Sequence, residues 1–337
     1  MPEPQSGVLT NFTTTAISFR CYIIILFINE FVKGKFNFLA KFCITFKLFG
    51  ICAIIHYMKN KIAILTDSSS EINQEEAKML GVYMLNLPLA IEGKEYFENV
   101  DIDIEGIKTY LRKGIRVQTS QATLGNLITM YEDLLKEYDH IIHVPLSSKL
   151  SGMYNTAVNL SRQYDGRITV IDAKCACVPI AYLCHDIRKC LDNGQTPDEI
   201  KAMVETDGHM LEACIIPQDL NYLKLGGRIS AAAAALAGLL KIVPILSVND
   251  DGIDVYDKVR TEKKALAKMR EPILDVENYE DYYWIIIHDE READALKLQA
   301  EIEELTKQKV SIHHLGGTII SHTGPGTFCF GRLRRIA

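Results

Sequence analysis

Short apolar runs and helix-period segments alternate along the chain from residue 61 onward. The runs IAILT (62–66), HIIHVPL (140–146) and RITVID (167–172) are apolar along most of their length, which predicts buried strands. Between the first two, residues 124–138 repeat their apolar side chains at i, i+3, i+4 and i+7, as a helix with one apolar face does. Continuous apolar strands that alternate with helices are typical of a parallel sheet covered on both faces. We therefore predict an α/β fold.

The same periodicities predict the remaining elements and divide the chain in two. Further helices are predicted at 74–81, 103–114, 155–164, 197–210, 261–270 and 290–307, and in the alanine-rich stretch that follows the glycine pair 226–227. Further strands are predicted at 82–90, 253–260, 282–289 and 310–317, and HTGPGT (322–327), which contains the tight turn GPG (324–326), closes the pattern. We place the boundary near 205–212. It separates an N-terminal domain (58–208), with a mostly parallel sheet and helices on both faces, from a C-terminal α/β domain (209–337).

Polar side chains directly follow four of the predicted strands. The clusters lie at 67–69, 119–120 and 147–148, with Asp172 after the fourth strand. Ligands of parallel α/β sheets bind at the edge formed by the carboxyl ends of the strands. We therefore expect the four clusters to converge there on one ligand site.

The stretch VPLSSKLSGMYNTA (144–157) joins a predicted strand to a predicted helix through small hydroxyl residues. A helix that begins near Ser151-Gly152 offers free N–H groups and a positive dipole end, to which hydroxyls such as Ser148 add donors. That combination suits a carboxylate or a phosphate. Two alternatives stay open: the serines are turn formers or helix caps, or one is a nucleophile, although SSKLSG is not the GxSxG elbow. Because the chain has no Walker glycine-lysine loop, nucleotide phosphate is disfavoured.

Three residues further along the chain allow a structural and a functional interpretation. Arg228 follows the glycine pair 226–227, where the backbone either turns at the surface or passes beneath a ligand beside a fixed cation. His322 precedes the turn GPG (324–326), which favours a side chain fixed in a cleft. Arg260 is an ordinary surface residue unless the fold brings it to that cleft.

Composition and charge exclude several classes of function. With 337 residues, 48% hydrophobic and 24% charged, the chain is typical of a globular protein of about two domains. A net charge of −6 argues against sequence-independent nucleic-acid binding, which needs a basic surface. The nine cysteines are odd in number and irregularly spaced, which fits reduced cytoplasmic thiols. We expect no metal, since Cys175 and Cys177 lack the CxxC spacing and His313 and His314 point to opposite faces of a strand.

Residues 1–57 differ in composition from the rest of the chain. They hold nine of the twelve phenylalanines and carry a net charge of +3, which leaves −9 for the remainder. A membrane anchor needs about 20 uninterrupted apolar residues, whereas the run at 21–28 has eight. A signal peptide needs early positive charge and a small-residue cleavage site, and neither stands out. We favour a translation start at Met58 over an anchor, a targeting segment or a folded extension. A native intact mass near 37.9 kDa would contradict that start.

Seven stretches of the chain, taken in order, resemble the DegV family of bacterial fatty-acid-binding proteins. They are TDSSSEI (66–72), VQTSQAT (117–123), PLSSKLSGMYNTA (145–157), LNYLKLGGRIS (220–230), LLKIVPIL (239–246), KVRTEKKAL (258–266) and SHTGPGT (321–327). The resemblance covers 58 to about 330 and has no counterpart for 1–57. It implies a two-domain α/β fold with one long-chain fatty acid lying between the domains.

The resemblance also implies a role and a set of site residues. The role is that of a lipid-binding subunit, not an enzyme, which presents the fatty acid to a cytosolic kinase. The kinase phosphorylates the carboxylate to an acyl phosphate for phospholipid synthesis. We accordingly expect a cytoplasmic protein without a cofactor and without stable membrane insertion. The residues implied at the carboxylate are Thr119, Ser151, Ser120, Ser148, Gly152 and His322. The residues implied to face the head group or the kinase are Arg228, Gly227 and Arg260.

This chain departs from the family's pattern at four positions. Ala122 replaces the usual proline after TSQ, and Ala173 replaces a serine or threonine. Leu225 and Val243 stand where the family usually has lysine, so two cations that bear on kinase docking are missing.

Two alternative functions use the same cleft. The first is a serine-dependent hydrolase or acyl transferase, with Ser148 or Ser151 as nucleophile and His322 as base. The second is a small-molecule sensor that shares the cleft but has no partner kinase.

Overall fold

A computed structural model describes residues 61–205, 210–237 and 241–337. The leader 1–57 and the expected domain boundary at 208–209 lie outside the described residues, so the start at Met58 and the boundary remain predictions. Among the helices within these ranges, none combines the length and the apolar character needed to cross a bilayer.

Helices and strands alternate along most of the described chain. The strands are β1 (Ile62–Asp67), β2 (Val82–Leu85), β3 (Pro88–Ile91), β4 (Lys94–Phe97), β5 (Val117–Thr119), β6 (His140–His143), β7 (Ile168–Val170), β8 (Leu211–Ile216), β9 (Val243–Asn249), β10 (Gly252–Val259), β11 (Tyr282–His288), β12 (Val310–His314) and β13 (Phe328–Arg334). The α-helices are α1 (Gln74–Leu80), α2 (Ile104–Arg112), α3 (Leu124–Glu137), α4 (Met153–Ser161), α5 (Val178–Asp192), α6 (Pro197–Glu205), α7 (Asn221–Gly226), α8 (Ala231–Ala234), α9 (Glu262–Lys268), α10 (Arg270–Leu274), α11 (Glu292–Thr306) and α12 (Gly317–Thr323). Short 3₁₀ helices lie at Ser68–Ser70 and Tyr279–Asp281.

The first sheet is parallel throughout, with the strand order β2-β1-β6-β7. Every residue of β1 is buried, because alternate side chains of a strand point to opposite faces and helices cover both. Ala63 and Leu65 share one core cluster with α3 and α4, whereas Ile62 and Ile64 share another with α5. The predicted parallel sheet with helices on both faces is confirmed.

The second sheet corrects one expectation about the site. β5, which ends at Thr119, pairs antiparallel with β3, and β4 completes this small sheet. The cluster at 119–120 therefore does not follow a strand of the parallel sheet, and our expectation was wrong on this point. The reason is that β5 alternates between the buried Val117 and the exposed Gln118, as a half-exposed antiparallel strand does. The predicted strand 82–90 is likewise divided between the two sheets.

The third sheet is mixed and has the strand order β10-β9-β8-β13-β11-β12. β11 and β12 run parallel, and the other neighbouring pairs run antiparallel. One face packs on α9, α10 and α11 through Trp284, Phe328 and Phe330. The opposite face, with Ile285 and Leu333, packs toward the residues that precede 205.

Several elements differ from the sequence predictions. The central strands β8 and β13 and the helix α5 were not predicted at all. The basic end of the chain forms β13 because its Arg332 is buried and donates to the Pro272 carbonyl oxygen at 2.8 Å. The alanine-rich helix is short, since α8 covers Ala231–Ala234 and a turn follows it.

A buried ion pair joins α2 to the end of β11. Lys108 Nζ lies 2.8 Å from Asp289 Oδ1, and each side chain is only 7% exposed. Asp289 also accepts a hydrogen bond from Gly326 N at 2.9 Å, in the turn that follows α12. The pair therefore fixes α2 relative to the end of the helix that contains His322.

We expect Lys108→Met to lower the free energy of unfolding by about 3–5 kcal/mol, because it leaves the Asp289 carboxylate buried without its cation. Urea unfolding followed by circular dichroism measures the change. Lys136→Met is the matched control, since Lys136 and Asp133 form an exposed i,i+3 pair whose loss leaves stability unchanged. Equal stabilities of the two variants would contradict a stabilising role for the buried pair.

Candidate functional site

A mostly apolar cavity lies between the third sheet and the residues that precede 205. Its sheet wall consists of alternate residues of neighbouring strands, which point to the same face. These wall residues are Leu211, Ala213, Ile215, Val248, Ile285, Ile287, Cys329 and Gly331. The opposite wall includes Leu146, Leu150, Cys177 and Ile319. A concave, mostly apolar wall of this kind suits a hydrocarbon ligand.

Polar side chains lie in the wall that this cavity shares with a second, neighbouring one. Thr119, Arg228 and His322 line both cavities, and Ser120 and Ser151 line the first. Thr119 Oγ1 lies 2.7 Å from His322 Nε2, although the two residues are 203 positions apart. The structure thus brings these five residues, each singled out in the sequence, to one place.

Helix α4 begins at the cavity with its first turn open. Its N-cap is Gly152, which has no side chain with which to cap the helix. The neighbouring Ser151 Oγ accepts a hydrogen bond from Met153 N at 3.2 Å. A Cβ added to Gly152 would lie 3.2 Å from Gln121 Oε1, so the glycine lets Gln121 pack against the helix start. Because the Ser151 hydroxyl acts as an acceptor here, its own proton is available to a ligand.

Ser148 hydrogen-bonds to a neighbouring loop instead of facing the cavity. Its hydroxyl donates to Asp172, and its backbone N–H donates to the same carboxylate at 3.1 Å. Asp67 acts in the same way, accepting from Ser69 N at 3.0 Å and from Leu146 N at 2.8 Å. These polar clusters therefore stabilise the loops around the site, and Ser148 belongs to neither cavity wall.

His322 lies in a helix that we had not predicted, directly before the predicted tight turn. α12 ends at Thr323, and the turn GPG (324–326) follows it. Gly324 has a φ of +80°, and an added Cβ there would overlap the Tyr222 ring. Glycine is required at this position because a side chain would be strained by the backbone and would clash with the ring.

Two carboxylates hold the start of α12, where the predicted strand 310–317 was expected to continue. Glu71 accepts a hydrogen bond from Gly316 N at 2.7 Å, and Glu98 accepts one from Gly317 N at 2.6 Å. Burial raises the pKa of Glu71 to about 8 against the opposing bond from Gly316, and the nearby Glu98 adds to the rise. Burial also raises the pKa of Glu98. We had not predicted either glutamate as part of the site.

His322 is a neutral imidazole at neutral pH. Burial, with the charges of Arg228 and Arg116, lowers its pKa to about 4. Its Nδ1 has no hydrogen-bond partner within the described ranges. Gly226 packs against that atom, since an added Cβ would lie 2.5 Å from it. With the proton on Nε2, His322 donates to Thr119, whose own hydroxyl proton is then free for a ligand oxygen.

Backbone carbonyls hold Arg228 at the junction of the two cavities. Its Nε donates to the Leu150 carbonyl oxygen at 3.3 Å, and a terminal nitrogen donates to that of Gly226 at 2.5 Å. Gly227 ends α7 in the left-handed conformation, with a φ of +66°. Arg260, by contrast, is exposed after β10 and lines neither cavity.

The geometry argues against a catalytic serine triad. His322 bonds to Thr119, and in the described part of the chain neither Ser148 nor Ser151 bonds to it. No described carboxylate bonds to His322 Nδ1, the atom at which the acid of a triad orients its base.

A group of three metal-ligand residue types, His288, Glu292 and His314, lies away from the cavities, with ligand atoms within 4.8 Å of one another. His288 Nδ1 accepts a hydrogen bond from Arg291 N at 3.2 Å. In the neutral ring the proton therefore lies on Nε2, the atom 3.1 Å from Glu292. A metal-bound histidine instead donates through its second nitrogen, so this arrangement argues against a metal ligand.

Comparisons with known proteins point to one family. The sequence profile of the DegV family matches residues 61–334. The chain belongs to the DegV family. It is 33% identical over 273 residues to a DegV domain-containing protein of Halalkalibacterium halodurans, covering 79% of this chain and 96% of that relative. It is 32% identical over 271 residues to one of Caldanaerobacter subterraneus, again covering 79% and 96%.

Solved DegV structures share this fold. DegV of Bacillus subtilis, described as a fatty acid binding protein, superimposes with a TM-score of 0.71 at 28% identity, covering 82% of this chain and 100% of that one. A DegV family protein from Thermus thermophilus, also described by its fatty acid binding, gives a TM-score of 0.73 at 28% identity, covering 81% and 99%. The DegV fold expected from the sequence motifs is confirmed.

We expect the stability of this DegV protein to fall as the pH rises from about 7 to about 8, above the range in which the lowered pKa values of His143 and His322 make stability rise with pH. The pKa of Glu71 is about 8 in the folded state against an ordinary 4.5. The folded state therefore keeps a proton that the unfolded state has released over this range. One such proton gives a slope of about 1.4 kcal/mol per pH unit. Urea unfolding across the range measures it.

Glu71→Gln keeps an acceptor for Gly316 N but removes the titrating proton, so its pH slope should be shallower than that of the wild type. Glu132→Gln, a change at an exposed position of α3, is the control and should keep the wild-type slope. Equal slopes for the wild type and Glu71→Gln would show that Glu71 does not titrate in this way.

Proposed function

We propose that this chain binds a long-chain fatty acid, with the tail in the apolar cavity and the carboxylate at Thr119, Ser151 and His322. The observation that carries the proposal is that the apolar sheet residues and the hydroxyl donors line the same cavity, with the donors next to the second cavity. Fatty acid binding by the relatives from Bacillus subtilis and Thermus thermophilus supports it.

The hydrocarbon tail supplies most of the binding free energy. A value of about 0.8 kcal/mol per buried CH₂ gives roughly 12 kcal/mol for a chain of about 16 carbons. Association costs of about 4 kcal/mol or more reduce this gross value. The head group therefore needs orientation more than additional affinity, and neutral hydroxyl donors suffice for that.

The head-group region attracts a single negative charge. Arg228 supplies a cation at the junction of the cavities, and the open start of α4 adds N–H groups and the positive end of its dipole. Since His322 is neutral, it orients Thr119 through a hydrogen bond and does not form an ion pair with the carboxylate. Ser120 lies beside Thr119 in the same wall.

The second cavity borders the proposed head-group residues. Arg116 and Arg228 line it, together with Thr119 and His322. We infer that a cytosolic kinase reaches the carboxylate from this side and phosphorylates it to an acyl phosphate. The chain then acts as a binding subunit in lipid metabolism and needs no cofactor of its own. The described cysteines are free thiols, which fits a cytoplasmic location.

Protein purified from a bacterial host is expected to carry a fatty acid, which solvent extraction and mass spectrometry detect. Thr119→Val should weaken palmitate binding by about fivefold to tenfold, because it removes one donor to the carboxylate while keeping the side-chain shape. Ser151→Ala should act in the same way. Isothermal titration calorimetry on delipidated protein measures both effects.

Ser161→Ala is the control for these variants, because its hydroxyl donates to the Val158 carbonyl oxygen at the opposite end of α4. It should leave palmitate binding unchanged. A lipid-free extract combined with no measurable palmitate binding would remove the proposal.

Arg228→Gln should reduce kinase-dependent phosphorylation of bound palmitate at least about tenfold, a larger effect than its loss of palmitate affinity, because a charge at the reacting end is lost. The measurement is transfer of labelled phosphate from ATP by the fatty acid kinase of the same organism. Arg260→Gln is the comparison variant. The family resemblance implies that it also phosphorylates bound palmitate more slowly, whereas the position of Arg260 outside both cavities implies an unchanged rate. Full activity of Arg228→Gln would contradict the proposed route.

A further inference from the structure

Thr318 carries a hydroxyl group that the proposed head-group site does not use. The residue lies in the first turn of α12, lines the apolar cavity and is 3% exposed. Its Oγ1 has no hydrogen-bond partner among the described residues. A buried hydroxyl without a partner is unfavourable, so a ligand group that bonds to it is favoured over one that does not.

The position of Thr318 in the helix explains why its hydroxyl is unpaired. Ser321 and Thr323, further along α12, donate to the carbonyl oxygens four residues earlier, at 2.6 and 3.3 Å. Four residues before Thr318 lies His314, which belongs to β12 and not to the helix. Thr318 therefore lacks the helical carbonyl that hydroxyl residues deeper in a helix use.

The backbone around Thr318 is also fixed. Glu98 accepts hydrogen bonds from the N–H groups of Gly317 and Thr318, and Glu71 accepts the one from Gly316. These bonds hold the first turn in place and engage its donors. With the backbone fixed, only rotation about χ1 of Thr318 changes the direction of its hydroxyl. The side chain lines the apolar cavity, so the hydroxyl can reach a ligand there.

Thr318 lies one helical turn from His322 along the cavity. Residues i and i+4 share a helix face and are about 6 Å apart along the axis. His322 lines both cavities, whereas Thr318 lines only the apolar one. Thr318 therefore lies on the side of the proposed head-group site where the tail is bound. Since an extended chain advances about 1.2 Å per bond, this distance corresponds to about five bonds from the carboxylate.

The geometry points to a subsite for an oxygen substituent on the acyl tail, so that this protein selects fatty acids with a hydroxyl or keto group about five carbons from the carboxylate. The inference rests on the proposed function. A threonine hydroxyl both donates and accepts, so it pairs with either group. The apolar sheet wall disfavours a polar substituent elsewhere along the tail.

Three hydroxystearate isomers test the subsite, with the hydroxyl next to the carboxylate, about five carbons away, or near the methyl end. Because the isomers have the same composition, their affinities differ through hydroxyl position alone. The wild type should bind the middle isomer about fivefold to tenfold more tightly than the other two in competition calorimetry. Thr318→Val, which keeps the shape and removes the hydroxyl, should bring this ratio to about one. Thr323→Val should keep the ratio, since its hydroxyl already bonds to Ile319.

Thr318→Ser restores a hydroxyl and should recover the preference, which separates a lost subsite from a misfolded variant. Equal affinities of the wild type for the three isomers, or an unchanged ratio in Thr318→Val, would overturn the subsite while stearate still binds. Failure of the wild type to bind stearate would overturn the proposed function instead.

Discussion

Two half-buried carboxylates at the start of α12 determine the site, because they hold the helix that carries His322. Glu71 and Glu98 follow β1 and β4, yet they bond to N–H groups at 316–317, which lie 245 and 219 positions later. The first N–H groups of a helix have no partner within it, so capping them from outside fixes both its position and its rotation. The 2.7 Å contact between His322 and Thr119 depends on this arrangement.

The same packing determines the charge state of the site. Burial raises the pKa of Glu71 and of Glu98 and lowers that of His322, since an ion is costly in a low-dielectric interior. At pH 7, Glu71, with a pKa of about 8, is therefore mostly protonated, and His322, with a pKa of about 4, is neutral. Arg228 supplies a cation beside these groups, and the Leu150 and Gly226 carbonyl oxygens accept hydrogen bonds from its guanidinium. A site with this distribution favours one anionic head group attached to an uncharged tail.

Local sequence patterns predicted the features that depend on neighbouring residues and missed those that depend on distant ones. Continuous apolar runs predicted the parallel sheet, and the motif around Ser151 predicted the open start of α4. Thr119 was assigned to the wrong sheet because the single alternation of Val117 and Gln118 in a three-residue strand is too short to be recognised in the sequence. β13 was missed because its buried Arg332 is satisfied by backbone carbonyls 59 and 60 positions away. Glu71 and Glu98 could not be predicted at all, since their partners lie more than 200 positions away.

A carboxylate held by neutral donors remains open to reaction. An arginine fork would occupy both carboxylate oxygens, whereas Thr119 and Ser151 each offer one donor and leave lone pairs free. In the proposed complex, Arg228 attracts the head group without enclosing it, because the Leu150 and Gly226 carbonyl oxygens hold its guanidinium. The tail then determines how tightly the ligand is bound, and the head-group residues determine from which side it is reached. Separating affinity from access in this way is what the proposed role, holding a fatty acid for a partner kinase, requires.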